Sequence, residues 1–260
     1  MYELIQTRFS KAIQHYDKNA LAQKIITDKL FSLIGNKPQK KILEIGCGTG
    51  NLSRKLLELN PDTLLLNDIC KSYAQMLPQK LGESISLYPS ENNNSRITFF
   101  NGDAQTMIQE IMPAKFSLIA SSSAIQWMGD QLRFLINCKE IMDPDALIAV
   151  STFAPGNLHE IAELEGCALH YHSPSEISRA LEPYYKLLHI STQDIVLTFQ
   201  EPLEVLKHLK MTGVNGIHSK IWTKKHLALF VKEYNCRFRN SDGLCTLTYK
   251  PVYLLGKNIH

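Results

Sequence analysis

The stretch Lys41-Ile42-Leu43-Glu44-Ile45-Gly46-Cys47-Gly48-Thr49-Gly50 decides the fold. Its first five residues form a short, mostly apolar run with strand character, and its last five place glycine at every second position. Asn51 to Leu59 then reads as a helix, so the segment is a strand, a glycine loop and a helix in immediate succession. Glycines at such a turn let the backbone reverse sharply and come close to a ligand where a side chain would collide.

Working outward, the same alternation recurs. Thr63 to Asp68 reads as a second strand, Lys71 to Leu81 as a helix and Ile97 to Phe100 as a third strand. Gly82 to Arg96, polar and carrying Asn92-Asn93-Asn94, reads as a surface loop. Phe116 to Ala120 is a fourth strand, Gln131 to Met142 a helix and Ala146 to Ser151 a fifth strand. Repeated strand-helix alternation implies an α/β protein whose largely parallel sheet is covered on both faces. Upstream, residues 9–34 show helical spacing and read as an N-terminal lid over 1–36. After Phe153 the regularity breaks. Leu158 to His170 and Pro174 to Leu181 look helical, Ile190 to Phe199 reads as one strand, Pro202 to Lys210 as a helix, and Thr212 to Tyr234 as further cover. Cap insertions are therefore expected at 154–185 and 212–240 of a single 1–260 domain. Leu244 to Leu255 is expected as a long terminal strand or hairpin arm, interrupted at Pro251 by a bulge or strand end.

Composition narrows the class. The chain of 260 residues is 44% hydrophobic and 20% charged, ordinary values for a globular protein. No secretory leader, transmembrane stretch or Cys-x-x-Cys pair is evident, and the six scattered cysteines fit a reducing cytoplasm. No metal-ligand set is expected. The net charge of +3 does not by itself call for nucleic acid. It is unevenly spread, however: Lys207, Lys210, Lys220, Lys224, Lys225, Lys232, Arg237 and Arg239 meet only Glu201, Glu204 and Glu233. That stretch suits an acidic partner.

The chemistry of the glycine loop follows from its spacing and from the acid beside it. Gly-x-Gly-x-x-Gly would suit a pyrophosphate at a helix N-terminus. Here the pattern is Gly-x-Gly-x-Gly, and Glu44 would repel phosphate but suits a ligand with an ammonium and a sulfonium. S-adenosylmethionine is such a ligand. Gly46, Cys47, Gly48 and Gly50 would approach it by backbone, and Asp68, with Ile69 beside it, ends the second strand where an acid holds ribose hydroxyls. Asp103, with Ala104, ends the third strand as an acceptor for an adenine amino group, though an equally ordinary role is to cap the next helix. Ser121, at the end of the fourth strand, offers a hydroxyl or a carbonyl to the pocket. Cys47 reads as loop filling, since no base accompanies it.

Further motifs narrow the reading. The chain resembles the malonyl-acyl-carrier-protein O-methyltransferases of biotin biosynthesis, within the Rossmann-like S-adenosylmethionine-dependent methyltransferases. The shared features are Phe9-x-x-Ala12-x-x-x-Tyr16-Asp17 with Ala20 and Gln23, the glycine loop, and Ser122-Ser123-Ala124-Ile125-Gln126-Trp127. They continue with Ser151-Thr152-Phe153-Ala154-Pro155-Gly156-Asn157-Leu158-x-Glu160, Leu209-Lys210-x-Thr212-Gly213-Val214-Asn215 and Leu247-Thr248-Tyr249. The turn that is Pro-Gly-Gly in such enzymes reads Pro144-Asp145-Ala146 here, with Asp145 able to supply the unusual backbone angle.

The resemblance implies a seven-stranded sheet and methylation of the free carboxylate of malonyl-acyl-carrier protein or malonyl-CoA. A carboxyl with a reference pKa of about 4 is already ionised at neutral pH and needs no general base. Tyr16, Gln126 and Trp127 are accordingly positioning candidates, although Tyr16 and Trp127 also suit plain packing roles. The basic segment from Lys207 to Arg239 becomes a candidate dock for acidic acyl carrier protein. Methylation of another small acid, or a non-catalytic cofactor-binding role, stays open on the residues alone.

Overall fold

The computed structural model of the protein describes residues 16–89, 95–166, 169–213 and 222–259. In chain order these form α1 (Leu21–Ile34), β1 (Lys41–Ile45), α2 (Asn51–Leu57), β2 (Thr63–Asp68), α3 (Ser72–Leu81), β3 (Ile85–Leu87) and β4 (Ile97–Asn101). There follow α4 (Ala104–Ile111), β5 (Phe116–Ser122), α5 (Gln131–Asn137), β6 (Met142–Phe153), α6 (His159–Glu165) and α7 (Pro174–Leu181). The remainder is β7 (Tyr185–Thr192), β8 (Ile195–Phe199), α8 (Pro202–Met211), α9 (Lys224–Arg237), β9 (Cys245–Tyr249) and β10 (Pro251–Asn258). They fall into two compact units. One comprises Gln23–Thr152, His172–Thr192 and Val252–His260; the other comprises Phe153–Tyr171, Gln193–Pro251 and the chain before Gln23.

The first unit is built on an eight-stranded sheet in the order β3-β4-β2-β1-β5-β6-β10-β7. The strands from β3 to β6 are parallel neighbours, and β7 runs antiparallel to β10. Covered on both faces, the central strands are apolar nearly throughout: Ile42 and Leu43 of β1, Leu64 and Leu66 of β2, Leu118 and Ile119 of β5 and Ile148 of β6 are all fully buried. The register sets Glu44 between Leu66 on one side and Ala120 on the other. Lys55 of α2 pairs with Asp28 of α1 at 2.9 Å and lies 5.6 Å from the Phe31 ring, so the two helices share one face of the sheet.

The sheet departs from the seven strands expected. The eighth is β3, inside the stretch read as a polar loop, where Ile85, Ser86 and Leu87 pair in parallel with Ile97, Thr98 and Phe99. Three residues are too few for an alternation to stand out from a loop. Tertiary neighbours supply what the pattern lacks: Ser86 Oγ donates to Ser95 Oγ at 2.7 Å, and the Tyr88 ring lies 5.6 Å from that of Phe100.

The single strand expected over Ile190 to Phe199 is two strands in different sheets. β7 begins earlier, at Tyr185, whose buried hydroxyl donates to the Leu135 carbonyl at 2.7 Å. Leu244 to Leu255 likewise divides at Pro251, with β9 paired to β8 and β10 paired to β7. Proline has no N–H to donate, and the break falls where that donor is missing. Asp145 takes φ 63°, the left-handed turn its sequence position required.

The second unit holds the antiparallel β8–β9 pair with α6, α8 and α9. Its core contains Val205, Leu209, Phe230, Tyr234 and Tyr249. Glu160 is wholly buried and accepts from Thr248 N at 3.1 Å and Thr248 Oγ1 at 2.7 Å, which ties α6 to β9. His208 Nε2 meets Tyr249 Oη at 2.9 Å, and burial pushes the imidazole down to about 4. Among the described residues, no helix is long and apolar enough to cross a membrane.

Candidate active site

The glycine loop leaves β1 at the carboxyl edge of the parallel strands, where open α/β sheets bind ligands. Its three glycines do different work. Gly46 has φ 67°, and a methyl group there would lie 2.2 Å from Ala124 Cβ. Gly50 has φ 83° at the start of α2, and a methyl group would come within 2.7 Å of Leu77 Cδ2. Gly48 has φ 49° and, among the described residues, nothing within 4 Å of a Cβ position. Packing thus demands Gly46, the left-handed φ favours glycine at Gly50, and Gly48 faces open space.

Asp68 braces that loop. Its Oδ2 accepts from Gly48 N at 2.9 Å and its Oδ1 from Cys70 N at 2.8 Å. Burial nevertheless lifts its carboxyl to about 6, because the desolvation cost outweighs these hydrogen bonds. Glu44, on the adjacent strand, is 2% exposed and is lifted further, to about 8, first by burial and then by the Asp68 charge, against hydrogen bonding from Ser53. Its Oε2 is buried with no hydrogen-bond partner among the described residues. Such an oxygen is costly to leave unsatisfied and suits a ligand that brings a donor or a positive charge. The open space at Gly48 and the orphaned carboxyl oxygen of Glu44 fit a cofactor with a cationic end. The Cys47 thiol is buried and pushed up by desolvation and both acids, the reverse of an activated nucleophile.

Two asparagines escaped the sequence reading. Asn67 Nδ2 donates to the carbonyls of Phe100 at 3.3 Å and Gly102 at 3.0 Å, and Asn101 Nδ2 to those of Asp68 at 3.1 Å and Ile69 at 3.0 Å. Together they stitch the turns after β2 and β4. The available signal was an amide at each strand end beside a candidate acid. Asp103 caps α4, its Oδ1 accepting from Gln105 N at 2.9 Å, and Ala104 is the first helical residue. Ser121 is fully buried and its hydroxyl donates to the Ile45 carbonyl at 2.9 Å, so that group is spent inside the sheet.

Past β5, Ser123 takes φ 56°, and its amide donates to the Ser151 carbonyl at 3.0 Å. Gln126 lies in a 3₁₀ turn, Ile125–Trp127, with Nε2 donating to the Ser123 carbonyl at 2.6 Å. Its Oε1 is buried without a partner among the described residues, whereas Trp127 is half-buried. Tyr16 belongs to the other unit; it is half-buried, and its carbonyl accepts from Ala20 N at 2.8 Å.

The basic segment divides on inspection. Lys207 and Lys210 on α8 and Lys224, Lys225 and Lys232 on α9 are exposed. Arg237 pairs with Glu163, and Arg239 reaches Glu201 at 3.4 Å and the Gly243 carbonyl, so both arginines serve the unit's own structure. Lys220, Val214 and Asn215 lie outside the described residues.

Residues 13–239 match the methyltransferase-domain family. The malonyl-[acyl-carrier protein] O-methyltransferase of Bacteroides helcogenes is 36% identical, with 98% of each chain covered. That of Bacteroides thetaiotaomicron is also 36% identical, over 98% of this chain and 97% of its own. That of Haemophilus influenzae is 34% identical, over 98% and 94%. In three dimensions the chain resembles the YcgJ protein of Bacillus subtilis, with TM-score 0.59, 13% identity and coverage of 90% and 98%. It also resembles an N-methyltransferase of Bradyrhizobium japonicum in complex with S-adenosyl-L-homocysteine, with TM-score 0.50, 13% identity and coverage of 92% and 87%. A glycine loop set on a mostly parallel sheet and full-length kinship above 30% identity converge on one conclusion: the chain belongs to the malonyl-[acyl-carrier protein] O-methyltransferase family of methyltransferase-domain proteins.

Proposed function

We propose that this enzyme transfers a methyl group from S-adenosylmethionine to the free carboxylate of a malonyl thioester on acyl carrier protein or coenzyme A, an early step of biotin synthesis. The observation that carries the proposal is full-length similarity to relatives named for that activity, at 34–36% identity. The cofactor, when bound, supplies an electrophilic methyl group. Gly46, Cys47, Gly48 and Gly50 line it by backbone, and Glu44 faces its cationic end. Asp68 and Ile69 serve the ribose, Asp103 and Ala104 the adenine, and Ser121 contributes its carbonyl.

The acceptor carboxylate is ionised at neutral pH and attacks without a base, so the protein's contribution is alignment and exclusion of water. Tyr16, Gln126 and Trp127 position the acceptor, and 1–36, 154–185 and 212–240 act as lid and caps of one methyltransferase domain. Lys207, Lys210, Lys224, Lys225 and Lys232 steer the acidic carrier protein. The test is to incubate the purified chain with labelled S-adenosylmethionine and malonyl-acyl-carrier protein and seek the methyl ester by mass spectrometry. Cofactor binding without ester formation would refute the acceptor.

A further inference from the structure

Another orphaned oxygen lies on α1. Gln23 is 6% exposed, and its Oε1 is buried without a hydrogen-bond partner among the described residues. One helical turn further along α1, Thr27 is 4% exposed and its Oγ1 lies 3.0 Å from Ser122 Oγ at the end of β5. Ser151 Oγ donates to Ser122 Oγ at 3.2 Å and accepts from Ser123 N at 3.2 Å. This chain of hydroxyls fixes the height of α1 against the carboxyl edge of the sheet.

The direction of α1 then locates Gln23. Asp28 and Phe31, later in the helix, meet Lys55 near the far end of α2, so α1 runs from the carboxyl edge towards the amino ends of the strands. Gln23, about 5–6 Å before Thr27 along the axis, therefore stands level with or beyond the end of β5. It shares its helix face with Thr27 by i,i+4 spacing. Glu44 is on the same face of the sheet as Ser122, because its register partner Ala120 precedes Ser122 by two residues. Two buried acceptor oxygens thus lie on one face of the sheet towards its carboxyl edge, Glu44 on β1 and Gln23 on α1.

We propose that Gln23 is a cofactor-contacting residue whose side-chain carbonyl accepts a hydrogen bond from the ligand's ammonium, with Thr27 and Ser122 as the brace that holds it there. The assignment rests on the cofactor reading and extends it to a residue outside the sheet. A hydrogen bond to a charged group accounts for about 10- to 100-fold in affinity.

The test is calorimetric binding of S-adenosylhomocysteine and of 5′-methylthioadenosine, which lacks the amino-acid end, to wild type, Gln23→Ala and Gln23→Glu. Gln23→Ala is expected to weaken S-adenosylhomocysteine at least tenfold and leave 5′-methylthioadenosine unchanged. Gln23→Glu, which keeps an acceptor, is expected to retain most of the affinity. Equal weakening of both ligands by Gln23→Ala, or no weakening of either, would overturn the assignment. A wild type that binds neither ligand would overturn the cofactor reading itself.

Discussion

If Glu44 meets the cationic end of the cofactor, binding must expel the proton that Glu44 holds. With its carboxyl at about 8, Glu44 is mostly protonated at pH 7. A bound cation stabilises the ionised form, so affinity rises with pH below that value. The ionised fraction grows about ninefold from pH 6 to 7 and about 25-fold from pH 6 to 7.5. The ligand's own amino group, with a reference pKa of about 7.7–8.0, titrates equally in any variant, so the comparison should be with Glu44→Gln. The ratio of wild-type to Glu44→Gln affinity for S-adenosylhomocysteine should grow by those factors. Calorimetry in two buffers of different ionisation enthalpy should report release of about 0.9 proton more from wild type than from Glu44→Gln at pH 7.

The same group carries a stability cost of known sign. Its folded pKa is raised above the ordinary 4.5, so the folded state binds more protons and stability falls as pH rises from 4.5 to 8. Glu44→Gln should therefore be the more stable protein at pH 7, by up to about 3 kcal/mol, while binding ligand less well. An affinity ratio flat across pH 6 to 7.5, with no buffer-dependent heat, would refute the reasoning.

Three other outcomes follow from the geometry. Gly46→Ala places a methyl 2.2 Å from Ala124 Cβ and should lower the melting temperature sharply, whereas Gly48→Ala meets open space at φ 49° and should cost only about 1 kcal/mol of stability while weakening S-adenosylhomocysteine. His208 is held down at about 4, so the unfolded chain takes up its proton first and stability is lost as pH falls from 6.5 to 4. Urea unfolding at pH 7.5 and 5 should show His208→Gln losing about 2 kcal/mol less than wild type. Reversing Lys207, Lys210, Lys224 and Lys225 to glutamate should slow methylation of the carrier-bound substrate, with reduced salt dependence, and leave a small malonyl thioester unaffected.

Some of this was open to reading in one dimension. Apolar runs of strand length, alternating with helical spacing, could mean little but a buried parallel sheet, and Gly46-Cys47-Gly48-Thr49-Gly50 after β1 marked its ligand edge. Pro251 and Asp145 announced their own backbone constraints, and the structure obeys both. These are local signals, carried by periodicity or by a residue's own φ preference. The edge strand β3 and the division of 190–199 between two sheets were not legible, because pairing partners far along the chain decide them.

The site divides the same way. Residue type and spacing pointed to Glu44, Asp68 and Asp103, but not to their states: burial makes Glu44 a largely protonated acid, and Asp68 spends both oxygens on backbone amides. Asn67 and Asn101 stood out only as amides at strand ends and Gln23 only as part of a family motif, because what an amide does depends on what lies across from it. The amino-acid order alone determined that a glycine loop would meet a ligand at the sheet's carboxyl edge. Only the tertiary structure decided which groups there are buried, satisfied or left waiting for a partner, because desolvation and hydrogen bonding are properties of neighbours in space.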